Sequence, residues 1–510
     1  MSKLSRRQVL RGASLASCLA VLTACGATPT PQVIKEVVTQ VVEKEVTKIV
    51  EGTPQVVKET VVVEVEKEVV VTATPEAAAP PPLPVEKELT LSWWTFPIGL
   101  PAEEWPHGKW EGELCQRYTA EVKPNVKVEL QPLGWEAYDK LVTAISAGTP
   151  PHLLGRGCNA YTVMARKSGI QVEVELEEDL KNDLPEGWLE GMQWQGKTYY
   201  VPWYVGAQGP LLNMSIVKEA KAEDLLPKPP CRSWNLDEWL ELLKACTFTR
   251  EDGTSVYGTS LFTTASTNLY AWGFMVLLWN AGSDYIVFDQ AQNKWVSPLA
   301  EEAGVAWLKR MQDLFFVHNV VPDPRGVDDA KSSGYWTGNQ GAFHLPGPSI
   351  SEARATGVTI DPETLVVTDP AGFEWIFVQN PVVPGGKHTT WGGPDLDVNL
   401  QPFNTGDVGA IAPTIEFAHW VANRENEEWL GQYTIPVRKS AVAKYEDDPL
   451  LQWMFGCWVP NSRTEFNTNC TVQECDIWME MWQTLFLPTD PQQVADEWVN
   501  KLSALDCWEV

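Results

Sequence analysis

KELTLSWW (residues 87–94), EGELCQRYTAEV (111–122), NVKVELQPL (125–133) and WEAYDKLVTAISAG (135–148) follow one another where the chain turns rich in aromatic residues. The first and third alternate apolar with polar residues, as a strand covered on one face does. The second and fourth space their apolar residues three and four apart, and the fourth stops at Gly148, a residue suited to ending a helix. Strand, helix, strand, helix points to an α/β fold on a mainly parallel sheet. Ligands in such folds collect beyond the C-terminal ends of the strands. Alternation puts Leu89, Leu91 and Trp93 on one face and Thr90, Ser92 and Trp94 on the other. A core has use for one of these tryptophans. Trp93 is expected to pack beneath the sheet, and Trp94 to stand at the strand end as a platform for a ligand.

Working outward, the 510 residues suffice for two or three domains, and 44% hydrophobic with 21% charged residues describes a mostly globular chain. A formal net charge of −28 argues against a nucleic-acid partner, which needs a basic face. Of the twenty-five tryptophans some must be core, and a protein that handles flat apolar ligand faces would also collect them.

The N-terminus, MSKLSRRQVLRGASLASCLAVLTAC, has a basic start and then an apolar stretch. Arg6 and Arg7 in SRRQVL look like a twin-arginine export signal. Leu22–Cys25 resembles a lipobox, which would make Cys25 the lipidation site and residues 1–25 the signal peptide. The run is broken by Ser14, Ser17 and Thr23, which disfavours a membrane span. The expected location is outside the cell, lipid-anchored on the outer face of the cell membrane. Besides Cys18 and Cys25, eight cysteines remain: Cys115, Cys158, Cys231, Cys246, Cys457, Cys470, Cys475 and Cys507. An even set in an oxidising compartment favours disulfides. Connectivity stays open, with Cys231–Cys246 and a C-terminal cluster as suggestions. No CxxC occurs and the six histidines are scattered, so no structural metal is expected.

Residues 26–86 are rich in Val, Glu, Lys and Thr, carry no aromatic residue and end in PPPLP. Ile34, Val38, Val41, Val42, Glu45 and Ile49 lie near helical spacing, which would suit a coiled-coil seam through which copies self-associate. The β-branched content pulls toward strand instead, and Gly52 and Pro54 interrupt the pattern. The segment reads as a tether holding residues 87–510 away from the membrane, with a reach on the order of 90 Å if fully helical.

Beyond residue 87 the order of segments resembles family 1 extracellular solute-binding proteins, the lipid-anchored receptors of bacterial ABC importers, many of which take up sugars. The matching pieces are LTLSWW, PNVKVE (124–129), YDKLVTAISAGTPP (138–151), WQGKTYYVPW (194–203), LLNMSIVKEA (211–220), PPCRSWNLDEWLELLKAC (229–246), EDGTSVYG (251–258), VVPGG (382–386) and IPVRKSA (435–441). The resemblance implies a type II periplasmic-binding-protein-like fold: two α/β lobes joined by a hinge, with a ligand in the interlobe cleft. Crossings are expected near 200–206, 380–388 and 430–437, each rich in Pro or Gly. It further implies a small-molecule ligand, a mono- or oligosaccharide above all, an ABC permease as partner, a monomeric binding domain, and no cofactor.

A sugar offers a C–H face for aromatic rings and hydroxyls for polar groups. The candidates placed by the resemblance are Trp94, His152, Trp203, Tyr204, Trp272, Asn280, Trp336, Trp391 and Asp395. Trp203 and Trp391 have Pro or Gly neighbours that favour loops. Trp272 and Trp336 could equally be core, and Trp234, Trp239, Trp478 and Trp482 read as structural. The chain departs from the family at His152, where Asp is usual, and at Pro348–Ser349, where many sugar-binding relatives have an aromatic. DLDVN (395–399) begins like a calcium loop, but Leu400 stands where Gly is needed, so no metal is expected there. The rival readings are a surface carbohydrate-binding sensor without an importer and a glycan-acting enzyme. No nucleophile elbow, HExxH or P-loop pattern supports the second.

Overall fold

The computed structural model describes residues 32–50, 53–71, 87–95, 106–133, 138–155, 169–193, 196–261, 263, 275–345, 347, 349–355, 357–392, 399–463 and 471–508. The chain divides into two compact units, Met1–Lys87 and Glu88–Val510. Among the described residues no helix is long and apolar enough to cross a membrane.

The first unit is a hairpin. Strands β1 (Gln32–Val50) and β2 (Thr53–Val71) pair antiparallel along their whole length, from Val50↔Thr53 to Gln32↔Val71. This corrects the helical seam: the β-branched run decides for strand, and Pro54 stands within β2, paired with Ile49. It also corrects the reach. A hairpin returns its chain to where it began, so Gln32 and Val71 end as neighbours, roughly 5 Å apart.

Among the described residues the second unit holds two larger sheets and three two-stranded pairs, β11–β12, β17–β20 and β19–β7 in the numbering that follows. In chain order come β3 (Leu89–Thr95), β4 (Val126–Pro132), β5 (Leu153–Gly155), β6 (Val201–Pro202), β7 (Tyr204–Val205), β8 (Leu211–Asn213), β9 (Phe248–Thr249) and β10 (Ser255–Thr259). They continue with β11 (Val287–Asp289), β12 (Lys294–Val296), β13 (Gly341–His344), β14 (Thr359–Ile360), β15 (Val366–Thr368) and β16 (Glu374–Phe377). The last four are β17 (Thr390–Trp391), β18 (Asn399–Pro402), β19 (Ile435–Pro436) and β20 (Ser462–Arg463). Lobe 1 is built on the sheet β4-β3-β5-β18-β6 and lobe 2 on β14-β15-β16-β8-β13-β10-β9. β3 runs parallel to β4 and β5, and β10 parallel to β13. The strands that carry the chain into each lobe, β8 and β18, are antiparallel to their neighbours, so both sheets are mixed rather than mainly parallel.

Three passages join the lobes. The first leaves lobe 1 at β6 and enters lobe 2 at β8. The second leaves at β16 and returns at β18, a longer stretch than 380–388. The third runs through β19, which pairs with β7. Glu427 anchors this last passage, one carboxylate oxygen accepting the backbone N–H groups of Val437 and Arg438 at 2.8 and 3.3 Å. The sealed Arg438 guanidinium donates to Ala422 O and to Asp179.

Helix starts follow the sequence. In the helix Leu236–Ala245, Asn235 accepts from Asp237 and Glu238 N–H groups while Glu238 reaches back to Asn235 N–H, a capping box. Trp239 on this helix is buried against Phe343, and Trp478 and Trp482 are buried edge to face, 5.9 Å apart. Cys231 is joined to Cys457, not to Cys246, whose thiol is sealed at the helix end and pushed up to about 12 by burial. Of the suggested C-terminal cluster, Cys470 lies outside the described residues.

Candidate functional site

Two strand ends meet one hinge segment. In lobe 1, β3 buries Leu91, Trp93 and Thr95 in strict alternation. The Trp93 ring lies 5.6 Å from Trp203 and 5.5 Å from Phe417. Gly155, at the end of β5, makes room for it: a Cβ there would stand 2.5 Å from Trp93 Nε1. In lobe 2, just past β13, Gly347 N–H donates to Gly209 O at 2.8 Å. Residues 203–209 are thus touched from both sides. They are held in turn by residues 390–392. Gln208 N–H donates to Trp391 O at 2.9 Å, and Gly392, at φ +116°, leaves only 2.6 Å between a would-be Cβ and Ala207 Cα. An L side chain at Gly392 would be strained in both conformation and space.

Beside this crossing stands a basic–aromatic cluster that the sequence reading missed. β17 pairs parallel with β20, bringing Arg463 alongside Trp391. The Arg463 guanidinium lies 4.3 Å over the Trp279 ring and 2.5 Å from Asp284 Oδ2, while Trp279 Nε1 donates to Asp284 Oδ1 at 3.0 Å. Asp284 is nearly buried and the Arg463 side chain is half open. The group therefore offers guanidinium N–H donors beside aromatic surface, with its charge balanced by one carboxylate. The NSR (461–463) and GSD (282–284) stretches carry no pattern that announces it; only the three-dimensional pairing of β17 with β20 does.

The sequence candidates distribute as follows. Trp391 is at the crossing, 6% exposed. Trp203 and Tyr204 are at the hinge but enclosed, at 0% and 2% exposure, with their rings 5.1 Å apart. Their place is the hinge core, not an open ligand face. Trp203 Nε1 is buried without a hydrogen-bond partner among the described residues. Trp94 is half-buried on the other face of lobe 1, packed with Leu133, Leu141, Ile145, Leu154 and Phe403. Lys140 stands 4.6 Å over its ring. The alternation that turns Trp93 inward sends Trp94 under the helix Tyr138–Ser146, so the expected platform is a covered ring.

His152 lies beside Ser92, ahead of the strand end. Its Nδ1 accepts from Ser92 N–H at 3.1 Å, and the His152 backbone N–H donates to Ser92 Oγ at 3.1 Å. Burial lowers its pKa, consistent with a neutral ring that accepts at Nδ1. It latches two strands together. Asn280 is likewise engaged: its Oδ1 accepts Thr389 N–H at 2.8 Å and its backbone O accepts Val383 N–H, which pins the second crossing. Trp336 belongs to the lobe 2 core, stacked on His344 at 5.2 Å and edge-on to Phe373. Trp272 and Asp395 lie outside the described residues. No group of three or more His, Cys, Asp or Glu side chains is arranged for a metal among the described residues.

Two surface concavities, of about 570 and 500 Å³, are lined by residues other than 203–209 and 390–392. One runs along the helix Val408–Val421 past His419 and Trp420, the other past Trp234 and Glu238. The convergence of strand ends on 203–209 is the better candidate, because there both lobes contribute.

The model of the bacterial extracellular solute-binding protein family matches residues 106–333. No curated protein matches the chain in sequence. Among solved structures, an ABC transporter solute-binding protein from Thermotoga lettingae bound with α-D-tagatose is 20% identical. That match covers 81% of this chain and 99% of that one, with a TM-score of 0.61. The maltotriose-binding protein of Thermus thermophilus bound with maltotriose is 19% identical over 81% and 98%, with a TM-score of 0.57. UgpB from Mycobacterium tuberculosis in complex with glycerophosphocholine is 18% identical over 81% and 97%, with a TM-score of 0.60. These likenesses show the fold: two lobes around a cleft.

Proposed function

From a chain whose residues 106–333 belong to the bacterial extracellular solute-binding protein family, inside a two-lobed fold, we propose a substrate-binding receptor of an ABC importer. It captures a small solute between the lobes, a mono- or oligosaccharide, and delivers it to a membrane permease. The observation that carries this reading is the hinge at 203–209, met by Trp93 from one lobe and by Gly347 from the other. A ligand held between the lobes beside this hinge is touched by both only when they close, and that difference in contacts drives closure.

In this reading Arg463, backed by Trp279 and Trp391, lines the cleft, with Trp272 and Asp395 as further candidates. Trp203 and Tyr204 form the floor beneath them. Asp284 balances the Arg463 charge, which favours a neutral polyhydroxyl ligand over an anion. Residues 1–25 act as a twin-arginine lipoprotein signal, Cys25 takes the lipid, and residues 26–86 connect the anchor to the binding unit. The receptor then stands on the outer face of the cell membrane.

The test is thermal melting against monosaccharides, oligosaccharides, polyols and glycerophosphodiesters. A ligand at about 1,000 times its dissociation constant adds roughly 4 kcal/mol of stability. A shift confined to one sugar class supports the reading. A shift with the phosphodiesters alone would replace the sugar, and no shift with any compound would remove the receptor reading.

A further inference from the structure

The hairpin at 32–71 has two unlike faces. Successive residues alternate, so the register puts Ile34/Val69, Val38/Val65, Val42/Val61 and Val46/Val57 on one face. The opposite-charge pairs Glu36/Lys67 and Lys44/Glu59 fall between them on that same face. Altogether it holds eleven Val or Ile positions, with three lysines against two glutamates. The other face holds seven Val or Ile positions, with five glutamates against two lysines. A lone two-stranded ribbon is marginally stable in water and needs a covered apolar face to persist.

We propose that the valine face is covered by the same face of a second copy of this chain. Charge selects that pairing. Two valine faces bring together near-balanced rows of Lys and Glu, whereas two of the other faces would oppose ten glutamates to four lysines. Area permits it. Nineteen residues per strand extend about 63 Å, and two strands are about 10 Å wide, so each copy buries roughly 600 Å², at the lower bound for a specific dimer. The hairpin is then a dimerisation ribbon inserted between the signal and the binding unit.

The test is sedimentation equilibrium of the full-length chain in a non-ionic detergent that masks its apolar N-terminal stretch. Wild type is expected to be dimeric. The paired substitution Val42→Lys with Val61→Lys, on the valine face, should weaken dimerisation by about 100-fold or more. The neighbouring pair Val41→Lys with Val62→Lys, one residue along on the opposite face, should leave it within about 3-fold, since no interface is lost there. A monomeric wild type overturns the proposal. So does equal loss in both variants, which would report hairpin unfolding, or no loss in either, which would report pairing through a strand edge or another part of the chain.

Discussion

His344 closes β13 with its ring stacked on Trp336, and its surroundings push its pKa down to about 4. The cause is burial, which disfavours the charged ring. Its folded pKa lies below its unfolded value of 6.5. The unfolded chain therefore binds a proton that the folded chain refuses, and the stabilisation, full above pH 6.5, is lost as pH falls toward 4. Because the residue as a whole is only partly buried, we set its share at about 2 kcal/mol between pH 7 and 4.5. The variant His344→Phe keeps the stack and cannot titrate. Urea midpoints at the two pH values should fall less for the variant than for wild type, and equal falls would deny the residue this role. At the same scale, what the sequence made legible was chemistry rather than direction. Trp93 and Trp94 differ only by the strand's alternation, and which one meets open space depends on the helix that covers the second face. His152 and Asn280 have ligand-like side chains, yet Ser92 and the Thr389 backbone claim them. Nothing in the spacing of GTPPH or LLWNAG announces those partners.

At the scale of elements, the strand–helix alternation of 87–148 and the capped helix at 236 were readable because each rests on local periodicity and capping. The antiparallel entry strands β8 and β18 were not, since their direction is fixed by where the chain comes from. The hairpin was half readable: valine spacing fits helix and strand alike, and only β-branching decides. Pairing of Cys231 with Cys457 spans 226 residues and was beyond any local signal. It ties the loop before the helix Leu236–Ala245 to the helix Pro449–Cys457. Non-reducing peptide mapping should recover this pair. Cys457→Ser should lower stability by about 2–5 kcal/mol, as loss of a bridge closing a long loop does. A linkage from Cys231 to Cys246 would contradict the structure.

At the scale of the molecule, two sheets share the chain passages between β6 and β8, between β16 and β18, and through β19; on the receptor reading the lobes turn about these passages. The order of family-like segments in the sequence implied these passages through the resemblance alone. It did not speak to the ligand, whose identity depends on a few side chains gathered from distant segments, Arg463 and Trp279 among them. The decisive measurement is small-angle X-ray scattering of the chain with and without the sugar that most raises its melting temperature. Closure of the lobes on a bound sugar predicts a smaller radius of gyration at saturation. An unchanged scattering curve, with the melting shift intact, would mean that the sugar binds outside the cleft and that the receptor account is wrong.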